Sequence, residues 1–211
     1  MTPRRWYPIN IRLDDKPCVV IGGGHVAHQK VVGLLDATSR VTVIAPELCE
    51  ELQRLHRDGV IDWIAKKYAT GDLDGFFLAI TATDDPSTNA QVYCDGERDR
   101  VLVNSADDPD NCRFILPSRV IRGELVISVS TGGRSPAMAT YMRKRLEEEF
   151  GPEWGVLTEL LGKARDAIRA AGRSTEGMSE KWEAAISEEV LELIRRGELD
   201  EARKAIDRCL S

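Results

Sequence analysis

Residues 17–31 read PCVVIGGGHVAHQKV, and this stretch decides the fold that we expect for the chain. The run 17–23 is short, apolar and ends in glycine, as is typical of a buried parallel strand. From Val26 to Leu35 the apolar residues return at helical spacing. The stretch therefore predicts a strand, a tight glycine turn and a helix.

The turn has the Gly-x-Gly-x-x-Ala spacing of a dinucleotide-binding motif, formed by Gly22, Gly24 and Ala27. The first glycine permits the tight turn, the second lets a pyrophosphate approach the backbone, and the small third residue lets the helix pack on the strand. The helix N-terminus offers N–H groups and a partial positive charge to phosphates. The motif predicts a bound dinucleotide. The alternative is a tight turn that holds no ligand.

Strands and helices alternate through the first half of the sequence. Apolar, often β-branched runs predict further strands at 40–45, 61–64, 76–82 and 101–106. Helices are predicted at 47–57 and from Asp84 onward, where Pro86 suits a first helical turn. This alternation predicts an α/β fold, with a Rossmann-type parallel sheet covered by helices on both faces.

Glu47 is the residue that bears on the choice of cofactor. It follows the second strand, roughly twenty residues past the glycine turn, where an acidic side chain binds the adenosine ribose. No arginine directly follows the strand to receive a 2′-phosphate, so the sequence favours NAD over NADP. The alternative is an acidic residue that stabilises the first turn of the next helix.

The pattern changes after the fifth strand. Residues 114–116 and 124–131 predict two more strands, and Ser135-Pro136 predicts the start of a helix that ends near Gly151. Three later amphipathic stripes predict helices at 157–168, 182–194 and 199–210. We therefore expect an NAD-binding Rossmann domain, a small central α+β segment and a C-terminal helical domain, at 1–113, 114–150 and 151–211.

Composition excludes several classes of protein. The 211 residues carry a net charge of −6, which argues against nonspecific nucleic-acid binding. No apolar run approaches the roughly 20 residues of a membrane span, and no signal-peptide core follows the N-terminus, so a cytoplasmic location is expected. The five cysteines form no Cys-x-x-Cys pair, and His25 and His28 are weak candidates as ligands, so no metal site is predicted.

Several segments together resemble one family. They are VVIGGGHVAHQKV (19–31), VTVIAPEL (41–48), AITATDDPSTNAQV (79–92), LVNSADDP (102–109), FILPS (114–118) and ISVSTGGRSPAMA (127–139). With them the chain resembles the precorrin-2 dehydrogenase family, which includes the N-terminal modules of sirohaem synthases. The resemblance covers residues 6 to about 150 and is loose in the helical end. No uroporphyrinogen methyltransferase module follows, so a stand-alone form is expected.

The resemblance implies an activity. Members oxidise precorrin-2 to sirohydrochlorin with NAD in sirohaem biosynthesis, and they form homodimers through the segment after the Rossmann domain. One alternative is a bifunctional enzyme that also inserts ferrous iron into sirohydrochlorin. An alternative of another class is a non-catalytic NAD-sensing regulatory module, which would have no use for the STGGRSP segment.

The resemblance also implies site residues. Together with the motif, it places the cofactor against Gly22, Gly24, His25, Val26, Pro46, Glu47 and Thr83. Asp107 matches the aspartate that follows the fifth strand in the family, in a position to take a proton from the macrocycle or to help hold iron. The alternative for Asp107 is a loop aspartate that caps its own turn.

The tetrapyrrole is expected to lie against a second group of residues. Ser130, Thr131 and Gly132 form a small-residue loop at a helix start, which suits a substrate carboxylate on backbone N–H groups. Arg113 and Arg134 stand in a basic stretch, and arginine suits bidentate carboxylate recognition. The alternatives are an ordinary strand-to-helix turn and a solvated charged face.

Overall fold

The computed structural model describes residues 6–106, 108–174 and 176–211. The chain divides into two compact units, residues 1–116 and 117–211. The expected three-part division at 113 and 150 stays a prediction.

A five-stranded parallel sheet forms the centre of the first unit, with strand order β3-β2-β1-β4-β5. Each of the five strands lies within a run that the sequence predicts. The strands are β1 (Cys18–Ile21), β2 (Val41–Ile44), β3 (Asp62–Ile64), β4 (Leu78–Thr81) and β5 (Leu102–Ser105). The helices are α1 (His25–Leu35), α2 (Glu50–Arg57) and α3 (Pro86–Asp99), and a 3-10 turn covers Pro109–Asn111.

Alternate residues of β1 belong to two hydrophobic clusters. Val20 packs in a cluster with Val31 of α1 and Leu52 of α2. Val19 packs in a second cluster with Val92 of α3. All four side chains of β1 are buried, which explains why the strand is apolar at every position. Burying each such side chain contributes about 1.5–3 kcal/mol.

Helix α2 begins at Glu50, three residues later than the sequence predicts. The backbone N–H of Cys49 donates to the carbonyl of Gly23 over 2.7 Å, and the side chain of Leu48 is buried in the core. These two contacts hold the preceding residues outside helical geometry. Glu47 therefore lies in a bend before the helix, and its alternative interpretation as a first-turn residue is wrong.

The second unit joins a hairpin to five helices. Strands β6 (Ser118–Arg122) and β7 (Leu125–Val129) pair antiparallel around a turn at Gly123, whose φ is +57°. The helices are α4 (Pro136–Glu149), α5 (Glu153–Ala170), α6 (Ser179–Ala185), α7 (Glu188–Arg195) and α8 (Leu199–Leu210). Among the described helices, none is long and apolar enough to span a membrane.

The strand predicted at 114–116 is wrong. Phe114 packs against the core of the first unit, and its carbonyl accepts a hydrogen bond of 2.9 Å from the side chain of Asn104. Pro117 then follows, which has no N–H to give to a strand ladder. The segment runs irregularly for these reasons, and β6 starts at Ser118.

The single helix predicted at 182–194 is two helices. Ile186 leaves helical geometry with ψ of 77°, and Ser187 then caps α7 by accepting a hydrogen bond of 3.4 Å from the N–H of Val190. The apolar stripe is continuous across the break because both helices pack on one core, which includes Leu157 and Ile206.

Candidate functional site

The five strands of the first unit end on one level. Ile21 of β1 is in register with Ile44 of β2 and Thr81 of β4. The register continues from Ile44 to Ile64 of β3 and from Thr81 to Ser105 of β5. The loops that follow therefore leave the same edge of the sheet. The strand order reverses between β1 and β4, and ligands of such sheets bind at the carboxyl edge at this point.

Packing within the protein explains the first two glycines of the turn. Gly22 has a φ of +126°, and a Cβ there would lie 2.2 Å from the carbonyl oxygen of Ala82. A Cβ on Gly23 would lie 1.9 Å from the carbonyl oxygen of Glu47. These glycines let the loops after β2 and β4 close against the turn.

Gly24 is different, because neither its backbone angle nor any contact among the described residues requires glycine there. Its φ is −87°, and a Cβ there would meet no atom of those residues within 4 Å. Helix α1, which Gly24 caps, has no side-chain cap hydrogen bond and no acidic residue in its first turn. Free N–H groups beside an open backbone suit a phosphate that approaches closely.

The three residues after Gly24 differ in their exposure to solvent. Ala27 is fully buried, as expected for the small residue that lets α1 pack on β1. Val26 is 46% exposed, and His25 is exposed at the start of α1. The predicted cofactor contacts of His25 and Val26 stay predictions.

Pro46 and Glu47 are exposed in the bend between β2 and α2. The bend is held at both ends, by the hydrogen bond between Cys49 and Gly23 and by the Trp63 indole, which donates to the carbonyl of Ala45 over 2.9 Å. The structure therefore brings the predicted ribose-binding residue next to the glycine turn.

Thr83 follows β4, and its side chain has a structural partner. Its hydroxyl donates to the Asn89 side chain over 2.9 Å, and the Asn89 amide donates back to the Thr83 carbonyl over 3.1 Å. Asp85 then caps α3, and hydrogen bonds from the hydroxyls of Ser87 and Thr88, in that order, lower the pKa of Asp85 to about 2. Much of the ATDDPST segment thus serves to start this helix.

Asp107, the predicted catalytic residue, lies outside the described residues. The backbone on either side of it is tied by Cys112, whose thiol sulfur accepts a hydrogen bond of 3.2 Å from the N–H of Ser105. The same sulfur lies 3.2 Å from the carbonyl oxygen of Asp108. Sequence reasoning missed Cys112, because a single cysteine after a polar loop gives no signal of these contacts.

Arg113 lies in the first unit, and its side chain contacts other residues of that unit. Its guanidinium forms an ion pair with Glu97 of α3 and lies 5.9 Å from the centroid of the Tyr93 ring. Its predicted contact with substrate stays a prediction, and that contact would compete with Glu97.

The loop predicted to hold a substrate carboxylate belongs to the second unit. Gly132 and Gly133 have φ of +62° and +80°, so the backbone itself requires glycine here. The N–H of Gly132 donates to the Ser130 hydroxyl, and the N–H of Arg134 donates to the Thr131 carbonyl. Arg134 itself is exposed and has no ion pair with any acidic side chain in the described ranges.

Two family models match the chain. One, described as "Putative NAD(P)-binding", covers residues 9–118, which is more than half of the chain. The other, described as "Sirohaem biosynthesis protein central", covers residues 122–149. The predicted cofactor is thereby confirmed as a nicotinamide dinucleotide.

Known proteins match nearly the whole chain. Siroheme synthase 3 of Aeromonas hydrophila is 36% identical over 96% of the chain, and siroheme synthase of Photorhabdus laumondii is 33% identical over 97%. The chain spans 43% and 44% of the length of these two relatives. A solved structure titled "SirC, precorrin-2 dehydrogenase" shares the fold, with a TM-score of 0.75 at 24% identity over 97% of this chain and 98% of that chain. The Rossmann-type fold class and the resemblance are confirmed, and the chain belongs to the family described as "Putative NAD(P)-binding".

Proposed function

We propose that the chain is an NAD-dependent dehydrogenase that oxidises precorrin-2 to sirohydrochlorin in sirohaem biosynthesis. The observation that carries the proposal is the succession, in one chain, of an NAD(P)-binding domain and a sirohaem biosynthesis central segment. The relatives named siroheme synthase, which match both parts, support the same substrate.

The residues at the sheet edge fit the cofactor. The open face of Gly24 and the uncapped start of α1 hold the pyrophosphate, and the carboxylate of Glu47 accepts a hydrogen bond from the ribose. A carboxylate at this position repels a 2′-phosphate, which supports NAD over NADP. The chemistry that NAD supplies when bound is the uptake of a hydride from the macrocycle.

Asp107 is the proposed general base. The oxidation removes a hydride and a proton from precorrin-2, so the proton needs an acceptor. The loop that carries Asp107 leaves β5 at the same edge as the glycine turn, and Cys112 ties the loop ends. Cys112 is therefore a positioning residue in this proposal. Arg134 and the loop formed by Ser130, Thr131 and Gly132 are the proposed contacts to substrate carboxylates.

A homodimer is part of the proposal. Apolar side chains of the hairpin and of α4 are 40–56% exposed in the second unit, and a partner subunit would cover them. They are Ile121, Val126, Met138, Tyr141 and Met142.

The test is an anaerobic assay in which the purified chain, precorrin-2 and NAD are mixed and sirohydrochlorin is followed by its absorbance. We expect product that depends on NAD and on the chain. If a folded, NAD-binding chain gives no product, the dehydrogenase is excluded and the regulatory module is favoured. Adding ferrous ion to sirohydrochlorin tests iron insertion separately.

Replacing Asp107 by asparagine tests the proposed base. We expect kcat for dehydrogenation to fall by about 10²–10⁴-fold, the usual contribution of a general base, while the Kd for NAD is unchanged. Asp110→Asn, in the same loop, is the matched control and should keep its rate. Full activity of Asp107→Asn would remove Asp107 from the chemistry.

A further inference from the structure

Three side chains of the metal-binding types meet beside the glycine turn. They are His25 at the first position of α1, Cys49 at the N-cap of α2 and Glu51 in the first turn of α2. One imidazole nitrogen, the thiol sulfur and one carboxylate oxygen all lie within 4.8 Å of one another. Spacing along the chain does not bring these three residues together, because His25 is more than twenty residues away from the other two.

The backbone that carries the three side chains is held in place. The N–H of Cys49 donates to the carbonyl of Gly23 over 2.7 Å, so the start of α2 is joined to the turn that precedes α1. Leu52, one residue after Glu51, is fully buried in the core. Ligands on helix starts that are fixed in this way can be brought together at little cost in ordering.

A carboxylate oxygen of this group lacks a donor. Oε2 of Glu51 is buried and has no hydrogen-bond partner among the described residues. The nearby Nδ1 of His25 lies 3.6 Å from it, beyond hydrogen-bond distance. A buried oxygen without a donor costs free energy, and a cation placed between carboxylate and imidazole would remove that cost.

We propose that His25, Cys49 and Glu51 bind one divalent transition-metal ion of the Zn²⁺, Co²⁺ or Fe²⁺ class. A nitrogen, a thiolate sulfur and a carboxylate oxygen form a donor set that suits these ions and not Mg²⁺ or Ca²⁺. Metal–ligand bonds of about 2.0–2.3 Å put tetrahedral ligand atoms about 3.3–3.8 Å apart, so a small inward movement is needed. The side chain of His25 is 79% exposed and is free to make it.

Three protein ligands leave the fourth tetrahedral position open. The site borders the glycine turn but needs neither Asp107 nor a tetrapyrrole, so it does not rest on the proposed dehydrogenase activity. Metal binding and dehydrogenase activity are therefore tested by separate experiments.

Cobalt titration tests the site. The reduced, metal-free full chain is titrated with Co²⁺, and the thiolate-to-cobalt charge-transfer absorption is recorded. We expect saturation at one equivalent per chain and displacement by Zn²⁺. Cys49→Ser should abolish the charge-transfer band, and Glu51→Gln should weaken Co²⁺ binding by about tenfold or more.

Cys94→Ser is the matched control, because Cys94 is an exposed cysteine of α3 outside the group. It should leave the band and the affinity unchanged. Circular dichroism and thermal unfolding check that each variant is folded. If Cys49→Ser is not folded, the Co²⁺ affinity of Glu51→Gln is the measurement that tests the site. The proposal is overturned if the wild-type chain gives no charge-transfer band, or if Cys94→Ser removes the band and Cys49→Ser does not.

Discussion

Two glycine-rich turns join a strand to a helix in this molecule, and they differ in what their backbone donors do. In the turn at 22–24, helix α1 starts without a side-chain cap and Gly24 faces open space. In the loop at 130–135, Ser135 caps α4 by accepting a hydrogen bond from the N–H of Met138, and Thr131 accepts one from the N–H of Ser135. The first turn leaves the start of α1 without a side-chain cap, whereas the second uses its donors in hydrogen bonds within the loop.

The glycines of the two turns differ in the same way. Gly132 and Gly133 have positive φ, so the chain needs glycine to make the loop at all. Gly24 has a φ that every residue adopts, so its backbone conformation does not require glycine. Glycine content alone therefore does not identify a phosphate site. Conformation and hydrogen bonding at each position distinguish the two turns.

The largest effect on stability is expected at Gly22. Gly22→Ala combines a φ of +126° with a Cβ placed 2.2 Å from the carbonyl oxygen of Ala82, and it should lower the free energy of unfolding by about 3 kcal/mol or more. Gly71→Ala is the matched control, because Gly71 has a φ of +99° and an open Cβ position. If urea denaturation showed the same loss of unfolding free energy for both variants, backbone strain alone would explain the effect at Gly22. The close approach to Ala82 would then contribute nothing.

A smaller effect is expected at the second turn. Ser135→Ala removes the cap of α4 and should lower the free energy of unfolding by about 1 kcal/mol, without changing the Kd for NAD. The measurements are urea denaturation and NAD titration on the same preparation. A marked loss of NAD binding would contradict the difference between the two turns, since it would assign dinucleotide binding to the capped turn.

The smallest effect is expected from the cap after β4. The folded-state pKa of Asp85, about 2, lies below the ordinary value of about 3.9, so the carboxylate stabilises the fold above pH of about 4 and loses this effect as the pH falls toward 2. The stability difference between wild type and Asp85→Asn should shrink over that range. A difference independent of pH would contradict the hydrogen bonds assigned to Asp85.

The sequence predicted the sheet well because buried parallel strands leave continuous apolar runs, as in β1 and β4. Sequence reasoning failed where an apolar residue packs on the core from a segment that is neither helix nor strand. Phe114 is apolar because it packs on the core of the first unit, and Pro117 ends any strand that precedes it. The break at Ile186 was missed because α6 and α7 bury one continuous stripe.

The candidate site was predictable where a local motif carries it, as at Gly22, Gly24 and Ala27. It was not predictable where distant residues meet. Cys49 reaches His25 because the loop after β2 folds back on the glycine turn, and Cys112 reaches Ser105 because the polar loop closes on the end of β5. Neither contact follows from spacing along the chain.

The most direct test of the account is NAD binding by Gly24→Ala, with Gly162→Ala as its matched control. A Cβ at either position meets no atom of the described residues within 4 Å, so Gly24→Ala should lose at most about 1 kcal/mol at its N-cap position, and Gly162→Ala, inside α5, should lose no stability. We predict that Gly24→Ala raises the Kd for NAD at least about tenfold, equal to about 1.4 kcal/mol, and that Gly162→Ala does not. An unchanged Kd in a folded Gly24→Ala would contradict the claim that this turn holds the cofactor.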